Sequence, residues 1–155
     1  MNAAGRRERD ARLEAAPIRW MQPAGPPTDD PADHDRLHIG VQTPTSGSVL
    51  LRVVGPLDLL TAEHLEHAIT SCTVDGTRGA VIDLSTVTFI GSAGLAAVIK
   101  AQEWAQAHDV ELRLVASTHV VLRPLEVTGL TSSLPVLRSV EDALSGLPGA
   151  DPARD

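Results

Sequence analysis

The stretch AVIDLSTVTFIGSAGLAAVIK, residues 80–100, constrains the fold more than any other part of the chain. Its first half is rich in β-branched and aliphatic residues and reads as a strand. After Gly91-Ser92-Ala93-Gly94 the apolar residues Leu95, Val98 and Ile99 take helical spacing, and Ala96, Ala97, Ala101 and Ala105 are small enough for close packing on a sheet. A strand that passes through a glycine turn directly into a helix is the unit from which parallel crossovers are built.

The flanking segments extend the pattern. LHIGV places Leu37, Ile39 and Val41 on one face, SVLLRVVG is a β-branched run ending at Gly55, and the turn-rich QTPTSG between them predicts a hairpin. In TAEHLEHAITSC, Leu65, Ala68, Ile69 and Cys72 recur at i, i+3, i+4 and i+7, which predicts an amphipathic helix with Thr61 at its N-cap and Glu63 in the first turn. VELRLVAS sets Leu112 and Leu114 opposite Glu111 and Arg113, as a half-covered strand does. THVVLRPLEVTGL predicts a helix that Pro124 kinks or shortens and Gly129 stops. LPVLRS then gives an edge strand, marked by Pro135, and VEDALSGL a terminal helix. The order β-β-α-β-α-β-α-β-α predicts an α/β fold, a small mixed β-sheet with helices packed on it.

Domain boundaries follow from where this periodicity starts and stops. Residues 1–36 mix charges of both signs with prolines (QPAGPPTDDPADHDR) and show no apolar period, so they are expected to be a flexible, disordered N-terminal tail. Within them RRERDARLEAA is a candidate short helix on a partner, marginal by itself. Residues 37–146 form the single folded domain and residues 147–155 a disordered C-terminal tail.

Composition excludes several functions. Only 2% of residues are aromatic, with Phe89 the single phenylalanine and no tyrosine, so the core rests on Val, Leu, Ile and Ala and no base-stacking platform exists. A formal charge of −7 has the wrong sign for a phosphate-backbone binder, which excludes direct nucleic-acid contact. One cysteine, Cys72, permits neither an intrachain disulfide nor a cysteine-based zinc site, and at an apolar helix position it reads as a small buried hydrophobe. No apolar run reaches the roughly 18 residues of a spanning helix, and the N-terminus lacks a secretory h-region. No membrane insertion and a cytoplasmic location are therefore expected. Lys100 is the sole lysine among 13 basic residues, a usage that points to a bacterial source.

Ser92 is the residue on which function turns. A hydrolase elbow, G-x-S-x-G, would need glycine where Ile90 stands, so the serine-nucleophile reading is set aside. Its position predicts an N-cap for the following helix, contributing roughly 0.5–2 kcal/mol relative to alanine. The same helix mouth tolerates a phosphate, which would add about 1.5–2 negative charges to the surface. His64 and His67, with Glu63 and Glu66, are sequence neighbours on one helix without a third convergent ligand and read as a solvated face. No nucleotide-binding glycine motif occurs, and no cofactor or metal is expected.

VVGPLDLLTAEHLEHAI, AVIDLSTVTFIGSAGLAAVI and LRPLEVTGL, in this order, resemble the STAS domain of bacterial anti-sigma factor antagonists over residues 37–146. That family's central motif reads Asp-Ser-x-Gly-Leu. The resemblance places Ser92 at the phosphorylatable serine, Ala93 at the variable position and Gly94 and Leu95 at the final pair, and puts Asp58 at an acidic residue near the partner surface. It implies a non-enzymatic stress-response regulator: a phosphoprotein that binds an anti-sigma factor of the GHKL serine-kinase type, frees a sigma factor, is released on phosphorylation of Ser92 and is reset by a phosphatase. The partner-binding residues implied by it and by the exposed turn are Asp58, Thr61, Gly91, Ser92, Ala93, Gly94 and Leu95. Gly91 stands where the motif has Asp, and loss of that carboxylate beside the acceptor hydroxyl predicts less efficient phosphoryl transfer. The alternative kept open is an unphosphorylated STAS accessory subunit of a membrane transporter complex.

Overall fold

The computed structural model describes residues 16–149. The candidate helix RRERDARLEAA lies outside them except for Ala16, as do residues 150–155. A six-stranded sheet runs β1 (Arg19–Trp20), β2 (His38–Thr45), β3 (Ser48–Leu57), β4 (Gly79–Ile90), β5 (Glu111–Val115) and β6 (Val136–Leu137), neighbours in space as in sequence. The first two pairings are antiparallel and the other three parallel. The connections carry α1 (Ala62–Cys72), α2 (Ser92–Ala107) and α3 (His119–Val127) with the short α4 (Leu130–Ser133); α5 (Val140–Leu144) follows β6.

Right-handed crossovers that all advance in one direction must leave their helices on one face of a sheet. Helices α1, α2 and α3 do share a face. Val49, Leu51 and Val53 of β3, Ala80, Ile82 and Leu84 of β4, and Leu112 and Leu114 of β5 meet Leu65, Ile69, Ala97, Val98, Ala101, Val121 and Leu125 in the main core. The alternate residues Leu50, Val81 and Val115 point to the other face, where Ala143, Leu144 and Leu147 cover them. The helical stripe expected over Leu65, Ala68, Ile69 and Cys72 is buried as a unit. In the hairpin, β2 continues through Thr43 and Pro44 to pair Thr45 with Ser48, so the turn shrinks to Ser46-Gly47. A register shift between Gln42 and Thr45 accommodates Pro44, which has no amide to donate.

The expected tail of residues 1–36 is corrected by the segment from 16 to 36, which straps the sheet. Arg19 and Trp20 pair with Val41 and Gly40, and the Met21 amide donates to the Ile39 carbonyl at 2.9 Å. Gly40 makes the strap possible: a Cβ there would lie 2.7 Å from Cγ2 of Ile18 and 3.0 Å from the Trp20 ring. His38, only 1% exposed, shares a 2.8 Å hydrogen bond from Nδ1 to the Gly25 carbonyl. Gln42 Nε2 donates to the Ala16 carbonyl (3.0 Å) while its Oε1 accepts from Arg52 Nε (2.6 Å), and Arg52 pairs with Asp83 at 3.3 Å. A single 3-10 turn, Pro31–Asp35, is capped by Asp30 and tied back by Asp33 to the Thr28 amide (3.1 Å) and hydroxyl, a contact that holds the Asp33 carboxyl below its usual range. The residues expected to be loose after 146 also pack in part: Leu147 is buried, and Thr45 Oγ1 donates to the Gly149 carbonyl.

Removing residues 1–36 uncovers the β2 edge and leaves His38 and Gln42 without these partners. The truncated chain should melt at least about 5 °C below the full chain in a calorimetric scan. An unchanged melting temperature would show that the strap adds no stability.

Candidate functional site

β4 delivers the chain to the site. Ile90 buries its side chain, and Gly91 follows in an extended conformation (φ −100°, ψ −174°) as the N-cap of α2. Its amide donates to the Leu57 carbonyl at 2.9 Å, and its carbonyl accepts from the Leu95 amide at 3.0 Å. Ser92 is thus the first helical residue and not the cap, a correction to the expected role, and no side chain caps this helix. The cause is a long-range contact: the Gly91 amide already closes the ladder on Leu57, and the helix starts one residue earlier than a serine cap at 92 requires. The Ser92 hydroxyl is exposed and shares no hydrogen bond among the described residues. First-turn amides without intrahelical acceptors surround it, an environment favourable to negative charge.

The two glycines of GSAG have different reasons. Backbone conformation does not require glycine at 91, but a Cβ there would come within 3.2 Å of the Phe89 ring. At Gly94 a Cβ would lie 2.7 Å from the Leu57 carbonyl oxygen and 2.9 Å from Cγ1 of Ile90. Glycine at 94 therefore lets α2 press onto the end of β3. Gly94 itself is buried beneath the surface.

The second wall is the loop from Leu57 to α1. Asp58 Oδ1 accepts from the amides of Leu60 (2.9 Å) and Thr61 (3.1 Å), and Thr61 Oγ1 accepts from the Asp58 amide (2.9 Å) while donating to the Pro56 carbonyl (2.8 Å). Thr61 occupies the N-cap position of α1 as expected, yet its hydroxyl ties the loop back to β3 and makes no cap bond to the helix. Asp58 Oδ2 makes no hydrogen bond among the described residues, and the residue is half-buried. Because Gly91 binds Leu57, this loop and the Ser92 turn form one edge of the molecule. Asp58, Thr61, Gly91 and Ser92 meet there, with the partly buried Ala93 and Leu95 behind them on α2.

Three residues of this edge escaped the sequence reading: Leu59, Leu60 and Phe89, exposed by 82%, 84% and 53%. The available signal was the pair of leucines in GPLDLLTA, which fits neither the strand period before it nor the helix period after it. His64 and His67 lie elsewhere, lining a groove between α1 and strap residues Met21–Ala24. Among the described residues no three His, Cys, Asp or Glu side chains converge as a metal site, and no helix is long and apolar enough to cross a membrane.

Four likenesses bear on this site. A family model described as the STAS domain matches residues 40–143. RsfB, an anti-sigma-F factor antagonist of Mycobacterium tuberculosis, is 36% identical over 104 residues, which are 67% of this chain and 84% of that protein. An anti-sigma-B factor antagonist of Staphylococcus aureus is 27% identical over 106 residues, 68% of this chain and 98% of that one. Among solved structures, an anti-sigma factor antagonist from Mycobacterium paratuberculosis superposes with a TM-score of 0.67 at 31% identity, covering 77% of this chain and 98% of the other. A mixed sheet with its crossover helices on one face, a glycine-flanked serine opening α2 and these matches together establish that the chain belongs to the STAS-domain family, alongside relatives named as anti-sigma factor antagonists.

Proposed function

We propose that the chain is an anti-sigma factor antagonist: its Ser92 edge captures an anti-sigma factor of the GHKL serine-kinase type in the cytoplasm, and the sigma factor held by that protein is freed. The observation that carries this reading is the Ser92 hydroxyl, exposed and unbonded at the first position of α2 beside a loop held rigid by Asp58. The chain is then a ligand and a substrate and not an enzyme. On the bound kinase the Ser92 oxygen attacks the γ-phosphorus of ATP, the bond to ADP breaks, and the hydroxyl proton passes to a base on the kinase. A phosphatase later hydrolyses the ester with water.

Charge supplies the switch. Phosphorylation adds about 1.5–2 negative charges where α2 opens, and the helix mouth accommodates them without rearrangement of the fold. The cost falls on the docked partner, whose contacting surface was complementary to a neutral hydroxyl. Asp58 contributes by fixing the loop, with Oδ2 left for the partner. Glycine at 91 is the one observation favouring the alternative of an unphosphorylated transporter accessory subunit; co-purification with an anti-sigma factor or with a transporter ATPase separates the two.

Ser92→Ala should bind the anti-sigma factor within about threefold of wild type, whereas Ser92→Asp should bind at least about tenfold more weakly in titration calorimetry. Equal affinities for the two variants would contradict a charge switch. Gly91→Asp needs only a small shift of the Phe89 ring and restores the family's carboxylate. Its initial rate of phosphorylation by the cognate kinase and radiolabelled ATP should rise severalfold, and an unchanged rate would mean that the missing carboxylate is not what limits transfer.

A further inference from the structure

Leu60 and Leu59 are the most open large apolar side chains among the described residues, at 84% and 82% exposure, and they are adjacent. Isolated exposed leucines are ordinary; a neighbouring pair on a fixed loop is not. Here the loop cannot fold them inward. Asp58 Oδ1 holds the Leu60 and Thr61 amides, and the Thr61 hydroxyl bridges the Asp58 amide and the Pro56 carbonyl, so both ends of the turn are tied to β3. The leucines stay in water unless another molecule covers them, and a loop already ordered loses little entropy when that happens.

The surroundings identify the molecule that covers them. The loop leaves the sheet at Leu57, whose carbonyl receives the Gly91 amide, so the leucines are continuous with the Ser92 turn. Phe89, half-exposed, places its ring against Gly91 on the same edge. A carboxylate at position 91 would put a charge beside that ring, and glycine keeps the patch neutral.

We infer that Leu59 and Leu60, supported by Phe89, form an apolar anchor that seats in an apolar cleft of the anti-sigma factor next to the nucleotide from which Ser92 takes its phosphate. The inference rests on the function proposed above and adds what the partner must look like. Affinity comes from burying the leucines, while Ser92 reports phosphorylation at the rim. The anchor also sharpens the switch: a phosphate dianion held against an apolar cleft must shed water without gaining a partner.

The test uses the full chain and a panel of purified anti-sigma factors, including the anti-sigma-F factor of Mycobacterium tuberculosis. Titration first finds a factor bound by wild type and lost by Ser92→Asp. Against that factor Leu59→Ser/Leu60→Ser should bind at least about 100-fold more weakly. Its melting temperature should stay within about 2 °C of wild type, because neither side chain packs in the core. Leu59→Met/Leu60→Met should retain affinity within about threefold, since methionine fills a similar apolar volume. Equal binding by the serine variant would overturn the anchor and leave the function standing. Failure of wild type to bind any panel member would overturn the function and the anchor with it. Sedimentation showing a wild-type dimer that the serine variant converts to monomer would assign the leucines to a second copy of this chain and also overturn the anchor.

Discussion

One hydrogen bond organises the Ser92 edge: the Gly91 amide on the Leu57 carbonyl, 2.9 Å, at the last rung of the parallel β3–β4 ladder. It extends the pairing of Pro56 with Phe89 and Leu57 with Ile90 past the end of both strands, so that two loops separated by more than thirty residues in sequence leave the sheet together. Gly94 completes the joint by bringing α2 into contact with Leu57. Without these contacts Ser92 would open an ordinary helix and Asp58 would begin an unrelated one. With them, a neutral hydroxyl, a half-buried carboxylate and three apolar side chains share one rigid surface.

Rigidity matters because the proposed activity is recognition. A surface that already holds its bound shape gives up little conformational entropy on association, so even a modest contact area yields useful affinity. The same rigidity makes a small chemical change decisive. A phosphate on a mobile loop swings aside; a phosphate on the first residue of a packed helix stays where the partner must sit. In the proposed function the STAS fold acts as a mount, and the chemistry of transfer and hydrolysis falls to other proteins.

The core-forming elements were legible because burial imposes a period. The stripe Leu65, Ala68, Ile69, Cys72 and the alternation Leu112, Leu114 are one-sided patterns with a direct physical cause, and both are buried as read. The strap was illegible for the opposite reason. Its anchors, Ile18 and Trp20, are two side chains in a proline-rich stretch, and their value depends on Gly40 opening a space twenty residues later. Gln42, Arg52 and Asp83, which tie the strap to the sheet, sit on three different strands, and nothing local marks them as a set. At the site, Ser92 stood out by its glycine neighbours, but its exact helix position depended on Leu57, a long-range partner. Leu59 and Leu60 were visible as letters and gained meaning only once the Asp58 and Thr61 hydrogen bonds fixed them outward.

The central claim is that a single exposed hydroxyl on a preformed surface decides whether the partner stays. It is tested most directly by incubating the chain with an anti-sigma kinase that captures it, adding Mg-ATP, separating bound from free protein, and locating phosphate in each fraction by tandem mass spectrometry. The account predicts one phosphate, on Ser92, in the free fraction and unmodified chain in the complex. Phosphate at another residue, or Ser92-phosphorylated chain still held in the complex, would contradict it.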